Sequence, residues 1–440
     1  MNFFMDQGIP VIELDMIATL ALAIFLLLLG RIIVNRVGFL SRFCIPAPLA
    51  GGLLFSLIML VLHETNILNV KMDTILQTPF MLAFFATVGL IASLKLVKKG
   101  GKLLFYYWAL CAFLSLMQNV IGVSWSKVLG LDPLLGVLMG AVSMEGGHGN
   151  AGAFGPEVEA MGVYGATAVA MAAATFGVVA GGVIGGPLAR FFLNKYNLRS
   201  TENEELAEEG KTAGLAQEIE QVAGPDTTSV NEALTVEKIE EGKEVSEEVA
   251  AHVFLLHGFI IAICMVVGME LAVFVKSTFG FAIPNYVGGM FFAVLLRNIN
   301  DKFNLVELHN PTIGLIGDVC LGIFLSMALM TLMTLKLWEL ADLALRMIVI
   351  LMSQVIFMIV YNIFVAFPVL GKSYDAVIMC AGMAGHGLGA TPNAMANMKA
   401  VIEKYGPSTK AFLIVPLCGA FLVDLFAVPC IVWFINYFAH

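Results

Sequence analysis

The chain has 440 residues, 59% of them hydrophobic and only 13% charged, and its mean hydropathy is +0.89. Soluble domains carry about 25% charged residues, so the composition excludes an ordinary water-soluble fold and points to the membrane. The net charge of −9 leaves no basic surface for nucleic acid.

The first apolar run, 11–30, follows Asp6 and itself contains Glu13 and Asp15 rather than a basic leader, so it reads as a span and not as a cleaved signal. Runs at 46–63, 78–94, 103–130 and 165–190 complete a first set of five crossings, each judged against the roughly 20 residues a helix needs to traverse a bilayer. Runs at 253–275, 284–297, 312–334, 340–367 and 410–436 make a second set. Two more apolar stretches, 134–156 and 375–397, are interrupted by glycines at their middles, which favours a re-entrant hairpin over a continuous helix. The alternating segments of about ten residues that build a membrane barrel are absent. Between the two sets, 197–250 is acidic and poor in apolar residues, as a solvated linker would be. The seven cysteines, Cys44, Cys111, Cys264, Cys320, Cys380, Cys418 and Cys430, lie singly in apolar runs and read as buried small hydrophobes.

Charge bias orients the chain. With the N-terminus outside, Arg31, Arg36, Arg42, Lys95, Lys98, Lys99, Lys102, Arg190, Lys195 and Arg199 fall inside, as do Arg297, Lys302, Lys372, Lys399, Lys404 and Lys410. Lys71, Lys127, Lys276, Lys336 and Arg346 remain outside or near outer ends. The bias holds only if both broken stretches return to the side they entered from, which leaves five crossings per half and a second half upside down. Ile45-Pro46 before Gly51-Gly52 is echoed by Ile283-Pro284 before Gly288-Gly289, and Gly147-His148-Gly149 by Gly385-His386-Gly387. The expectation is an all-α polytopic membrane protein of two inverted repeats, 1–196 and 251–440. Each repeat has five transmembrane helices and one re-entrant hairpin, and the linker 197–250 lies in the cytoplasm.

The two glycine loops carry the chemistry. Glycine lets the chain turn sharply and bares backbone N–H groups, and a helix starting at such a turn presents its positive end to an anion. Gly147, His148, Gly149 and Asn150 from the first loop, with Gly387, Gly389, Thr391 and Asn393 from the second, are the candidate substrate-binding residues. Glu145, Asp318 and Asp424, acids within spans, and Asn397 are the candidate ion-coupling residues. Gln118-Asn119 serves either as interhelical glue or as cavity lining. Gly181-Gly182 and Gly185-Gly186 read as a close-packing face. Gly147-x-Gly149-x-x-Gly152 matches a dinucleotide fingerprint formally but lacks its strand. A metal site built on His148 and His386 is set aside, because no further Cys or paired carboxylate completes it in sequence. With no P-loop, H-E-x-x-H or G-x-S-x-G, the chain reads as a transporter and not an enzyme, powered by an ion gradient or by the substrate's own gradient.

Longer motifs make the resemblance specific. The segments are Ile45-Pro46-x-Pro48-x-Ala50-Gly51-Gly52, Met117-Gln118-Asn119, Leu131-Asp132-Pro133, Gly146-Gly147-His148-Gly149, Ala174-Thr175-Phe176-Gly177 through Gly185-Gly186-Pro187, Lys336-Leu337-Trp338-Glu339-Leu340 and Gly387-Leu388-Gly389-Ala390-Thr391-Pro392. In that order the chain resembles the bacterial sodium/glutamate symporter family over nearly its whole length outside the linker. The charge bias puts both termini on the periplasmic or extracellular side, and the resemblance implies a homodimer in the inner membrane. It implies that L-glutamate moves inward with Na+ as coupling ion and only metal, without an organic cofactor, by an elevator motion. Glu145 and Asp318 depart from the family pattern, which has a small polar residue and an amide there. The alternative they raise is a proton-coupled or Na+-coupled carrier of another dicarboxylate.

Overall fold

The computed structural model describes residues 1–6, 9–42, 45–65, 67–200, 247–279, 283–330 and 341–439. Most of the expected linker, Cys44 and the Lys336–Leu340 motif lie outside the described residues.

Helix α1 (Met16–Arg36) starts where Asp15 accepts a hydrogen bond from the Ala18 amide, an N-cap that satisfies one of the free donors of its first turn. A five-residue helix, α2 (Gly38–Arg42), precedes α3 (Ala47–Glu64), α4 (Gln77–Ile91) and α5 (Leu94–Val128), which kinks at Gly101. The first glycine-broken stretch is α6 (Pro133–Val137), a π-helical turn (Leu138–Val142), a break, and α7 (Gly147–Ala160). Helix α8 (Ala166–Tyr196) follows. Beyond the linker come α9 (Glu247–Phe279), α10 (Asn285–Phe303), α11 (Asn310–Met330) and α12 (Ala341–Tyr361). The second broken stretch is α13 (Tyr374–His386), a break, and α14 (Thr391–Tyr405). The last apolar run is not a continuous helix: α15 (Thr409–Leu417) and α16 (Asp424–Phe438) are separated by a π-helical turn at Cys418–Leu422.

Among the described residues six helices are long and apolar enough to cross a membrane, and Ala47–Leu62, Gln77–Ile91 and Asp424–Phe438 are shorter apolar helices. The protein is a helical, multi-pass membrane protein. Large apolar side chains such as Phe25, Leu255, Phe259, Leu345 and Phe364 face outward, where a soluble protein would place charge.

The helices form two packed groups. Helices α1, α3, α4, α9, α10 and α11 make one; α5 to α8 and α12 to α16 make the other. In lipid, apolar burial gives helices little reason to associate, so close van der Waals contact through small residues holds them. The first group has such a crossing in each half of the chain. Gly30 on α1 abuts Gly51 on α3, and Gly268 on α9 abuts Gly288 and Gly289 on α10. Across the groups, Gly149 and Gly152 of α7 lie against Phe84, Phe324 and Leu325, and Phe154 meets the Tyr286 ring edge-on at 5.4 Å. Where the chain passes from α4 to α5, the last turns of α10 hold the corner. An Arg297 guanidinium nitrogen donates to Leu90 O (3.2 Å), and Asn298 accepts from the Leu94 amide (2.8 Å) and donates to Ala92 O (2.9 Å).

One feature departs from an all-helical chain. Residues 2–6, 9–14 and 69–72 form a small sheet, β1 (Asn2–Asp6) antiparallel to β2 (Ile9–Leu14), and β2 parallel to β3 (Asn69–Met72). Three β-branched residues, Ile9, Val11 and Ile12, surround Pro10 there, a composition that favours extended backbone over a helix. The first span therefore begins at Met16 rather than at residue 11.

Candidate functional site

The two broken stretches come together at their breaks. Gly147, the first residue of α7, has φ +58°, and a β-carbon there would lie 2.7 Å from Gly389 O in the second break. A side chain at this position is excluded both by the left-handed backbone and by the opposing carbonyl. Neither α7 nor α14 has a side-chain N-cap, whereas α1, α6 and α13 are capped by Asp15, Asp132 and Ser373. The two helix starts that adjoin the junction thus leave first-turn N–H groups without a capping side chain.

The second break is fastened to its neighbours by amide side chains. Asn393 donates to Val178 O of α8 (2.6 Å), and Asn397 to Gly181 O of α8 (2.9 Å) and to Ala381 O of α13 (3.2 Å). From α5, Gln118 donates to Gly387 O (2.6 Å), and Gln354 donates in turn to Gln118 O (2.8 Å). Of the packing face expected at Gly181 to Gly186, Gly181 and Gly185 make close contacts and Gly186 does not, and the face starts earlier, at Gly177. A β-carbon on Gly177 would stand 2.1 Å from Leu388 O, and one on Gly181 3.0 Å from Ala384 O. The helix interruption between α15 and α16 frees carbonyls that side chains then satisfy, Thr391 to Gly419 O (2.9 Å) and Trp108 to Leu422 O (2.6 Å). In the first break Asn119 accepts from the Ala141 amide (3.1 Å) and Ser143 donates to Ala170 O (2.8 Å).

A buried polar cluster lies where α5 meets both breaks. Glu145 is 8% exposed, and neither carboxylate oxygen has a hydrogen-bond partner. Its neighbours include Ser115, Cys111, His386 and, further along, Asp424 at the start of α16. His386 Nε2 is 2.8 Å from the Tyr107 hydroxyl and 3.7 Å from Cys111 Sγ. Asn150, buried, has its amide nitrogen unbonded and lies against Asp424.

The candidate residues therefore divide. Gly147, Gly387 and Gly389 form the meeting breaks, with Glu145, Asn150 and Asp424 beside them. His148 is buried against α8, its Nε2 3.1 Å from the Thr175 hydroxyl. Gly149 faces Phe84 and Leu321 of the other helix group. Thr391, Asn393 and Asn397 direct side-chain donors at backbone carbonyls that hold the second break in place. Asp318 sits on an exposed part of α11, outside the buried cluster. The sequence reading missed Tyr107, Cys111 and Ser115 and underweighted His386. The signal existed: Tyr107, Cys111, Ser115 and Gln118 recur at helical spacing along one face of an apolar span.

A model of the sodium/glutamate symporter family matches residues 12–407. The sodium/glutamate symporters of Escherichia coli K12 and Shigella flexneri are each 42% identical over 414 residues, covering 94% of this chain and 95% of theirs. That of Haemophilus influenzae is 39% identical, covering 92% of this chain and 94% of its own. Among solved structures, a sodium proton antiporter from Methanocaldococcus jannaschii aligns over 96% of this chain and 98% of its own at 14% identity, with a TM-score of 0.37.

Proposed function

The chain belongs to the sodium/glutamate symporter family, and from that premise we propose that it carries L-glutamate into the bacterial cell together with Na+, as a secondary active transporter of the inner membrane. The observation that carries this is the meeting of two uncapped helix starts at a buried junction between Gly147 and Gly389. Oriented N–H groups and two positive helix ends suit the carboxylates of an amino-acid anion. Substrate binding is assigned to Gly147, His148, Gly149 and Asn150 with Gly387, Gly389, Thr391 and Asn393. Of these, the unbonded Asn150 amide is the side chain freest to select among anions. Coupling is assigned to Glu145 and Asp424, acids that offer oxygens to Na+, with Asn397 holding the second break on α8. Asp318 acts from the exposed side of α11, where it meets the ion on its way in or out.

The two helix groups support an elevator cycle. The group holding both broken stretches slides against the other along the face where Gly149 and Gly152 meet phenylalanine rings, a surface without directional bonds at those contacts. The inverted relation of the two halves equips one break for each side of the membrane, with the termini outside and the linker in the cytoplasm. The other helix group forms the homodimer.

Uptake of labelled L-glutamate into proteoliposomes under an imposed Na+ gradient tests the proposal. Expected is concentrative uptake that collapses when Na+ is replaced by K+ and is competed by unlabelled glutamate. Uptake that follows a pH gradient and ignores Na+ would overturn Na+ coupling in favour of a proton-coupled carrier. A dicarboxylate that competes better than glutamate would overturn the substrate.

A further inference from the structure

We propose that Cys111, Glu145 and His386 form a binding site for a soft divalent cation such as Zn2+ or Cd2+, distinct in chemistry from the Na+ of the transport cycle. Three elements meet to build it: Cys111 from α5, Glu145 from the first break and His386 from the end of α13. One ligand atom from each lies within 4.8 Å of the others, and Cys111 Sγ is 3.7 Å from His386 Nε2. Ligands around a tetrahedral Zn2+ stand about 3.5 Å apart, given metal–sulfur and metal–nitrogen bonds of about 2.3 and 2.0 Å. The three atoms thus need to close by about 1.3 Å at most, a side-chain adjustment.

The donor set decides the class of ion. Na+, Mg2+ and Ca2+ are hard cations that seek oxygen, and a thiol with an imidazole offers them little. Sulfur and nitrogen donors beside one carboxylate select Zn2+, Cd2+ or Cu+. The second, independent observation is Glu145 itself. Both of its oxygens are buried, with the Ser115 hydroxyl beside them, and a carboxylate withdrawn from water in this way is neutralised either by a proton or by a cation, which the adjacent thiol and imidazole would help to hold. The Tyr107 hydroxyl, 2.8 Å from Nε2, orients the ring towards the site and yields its place to the metal. On binding, the Cys111 S–H bond is replaced by a sulfur–metal bond and the proton passes to solvent. A metal held there takes the Glu145 oxygens that the transport proposal assigns to Na+ coupling, and so halts transport.

The test is direct binding to the purified full chain in detergent, with Cd2+ as the probe. Readouts are the ultraviolet thiolate-to-cadmium charge-transfer band and competition with a chelating dye. Expected is one Cd2+ per protomer with the band present, in the wild type and in Cys264→Ser, whose buried thiol lies on α9 outside the cluster. Cys111→Ser loses the band, and both it and Glu145→Gln weaken binding by at least about tenfold, the least that loss of even an outer-shell partner commonly costs a metal site. Size-exclusion profiles establish that each variant is folded; if Cys111→Ser is not, Cys111→Ala and Glu145→Gln carry the test. No band in the wild type, a band that survives in Cys111→Ser, or equal weakening in Cys264→Ser would overturn the site. Cd2+ also stops Na+-driven glutamate uptake in the wild type. Binding is read without transport, so a chain that takes up Cd2+ but no glutamate refutes the transport proposal and leaves the metal site standing.

Discussion

Alanine at Gly177 places a methyl carbon 2.1 Å from Leu388 O. Carbon and carbonyl oxygen approach no closer than about 3.3 Å in ordinary contacts, so the second break must retreat from α8 by about 1 Å. Nothing can swing aside, because the opposing atom belongs to the backbone. The same retreat stretches the Asn393 bond to Val178 O, now 2.6 Å, and parts Gly389 from Gly147. Overpacking of this kind costs about 1–3 kcal/mol, and each hydrogen bond lost adds about 1 kcal/mol. At about 1.4 kcal/mol per tenfold, Gly177→Ala should lower Na+-driven uptake by more than about tenfold. Gly186→Ala on the same helix is the control, since a β-carbon there meets nothing within 4 Å. Both variants are reconstituted at matched protein-to-lipid ratio and assayed for initial glutamate uptake and thermal aggregation. Wild-type uptake and stability in Gly177→Ala would refute the claim that contact between α8 and the second break sets the site.

Gln118→Leu leaves Gly387 O buried without its donor and should cost about 1–3 kcal/mol, visible as earlier thermal aggregation and slower uptake. Asn393→Ala removes the bond to Val178 O, and amide exchange in 387–393 should rise while exchange in α10 stays unchanged. The Asp15 carboxyl is held below its usual range by the Ala18 amide and then by the N-terminal ammonium. Its contribution to the start of α1 is present above the unfolded value of about 3.9 and lost as pH falls through the lower folded value. Asp15→Asn should therefore raise amide exchange in the first turn of α1 at neutral pH, with the difference from wild type disappearing in acid well below pH 4.

Much of the fold was legible because membrane helices announce themselves by apolar runs of bilayer length. Helices α1, α3 to α5 and α8 to α12 follow from that rule to within several residues at most of their ends, whereas the five-residue α2 does not. Less legible was the last run, 410–436, where apolar composition is continuous and only Pro416, Gly419 and Pro429 hint at the break between α15 and α16. Composition alone cannot locate such a break, because its cost is offset by Trp108 and Thr391, donors from distant elements. In the same way Asn393 read as a substrate-binding amide and Asn397 as an ion-coupling one, and that their nitrogens also hold carbonyls of α8 and α13 is visible only once those helices are beside them.

By itself the sequence determined that this protein lives in a membrane, that its two glycine loops interrupt apolar stretches, and to which family it belongs. Hydropathy, glycine placement and ordered motifs are local properties, and they survive without knowledge of what packs on what. Tertiary structure decided which side chains share the junction. Cys111 and His386 are 275 residues apart and Gly147 faces Gly389 across the two halves, so no spacing rule relates them. The buried Glu145 carboxylate is likewise a property of its surroundings, since only three-dimensional burial turns an acid near a span into one that must be neutralised by a proton or a cation.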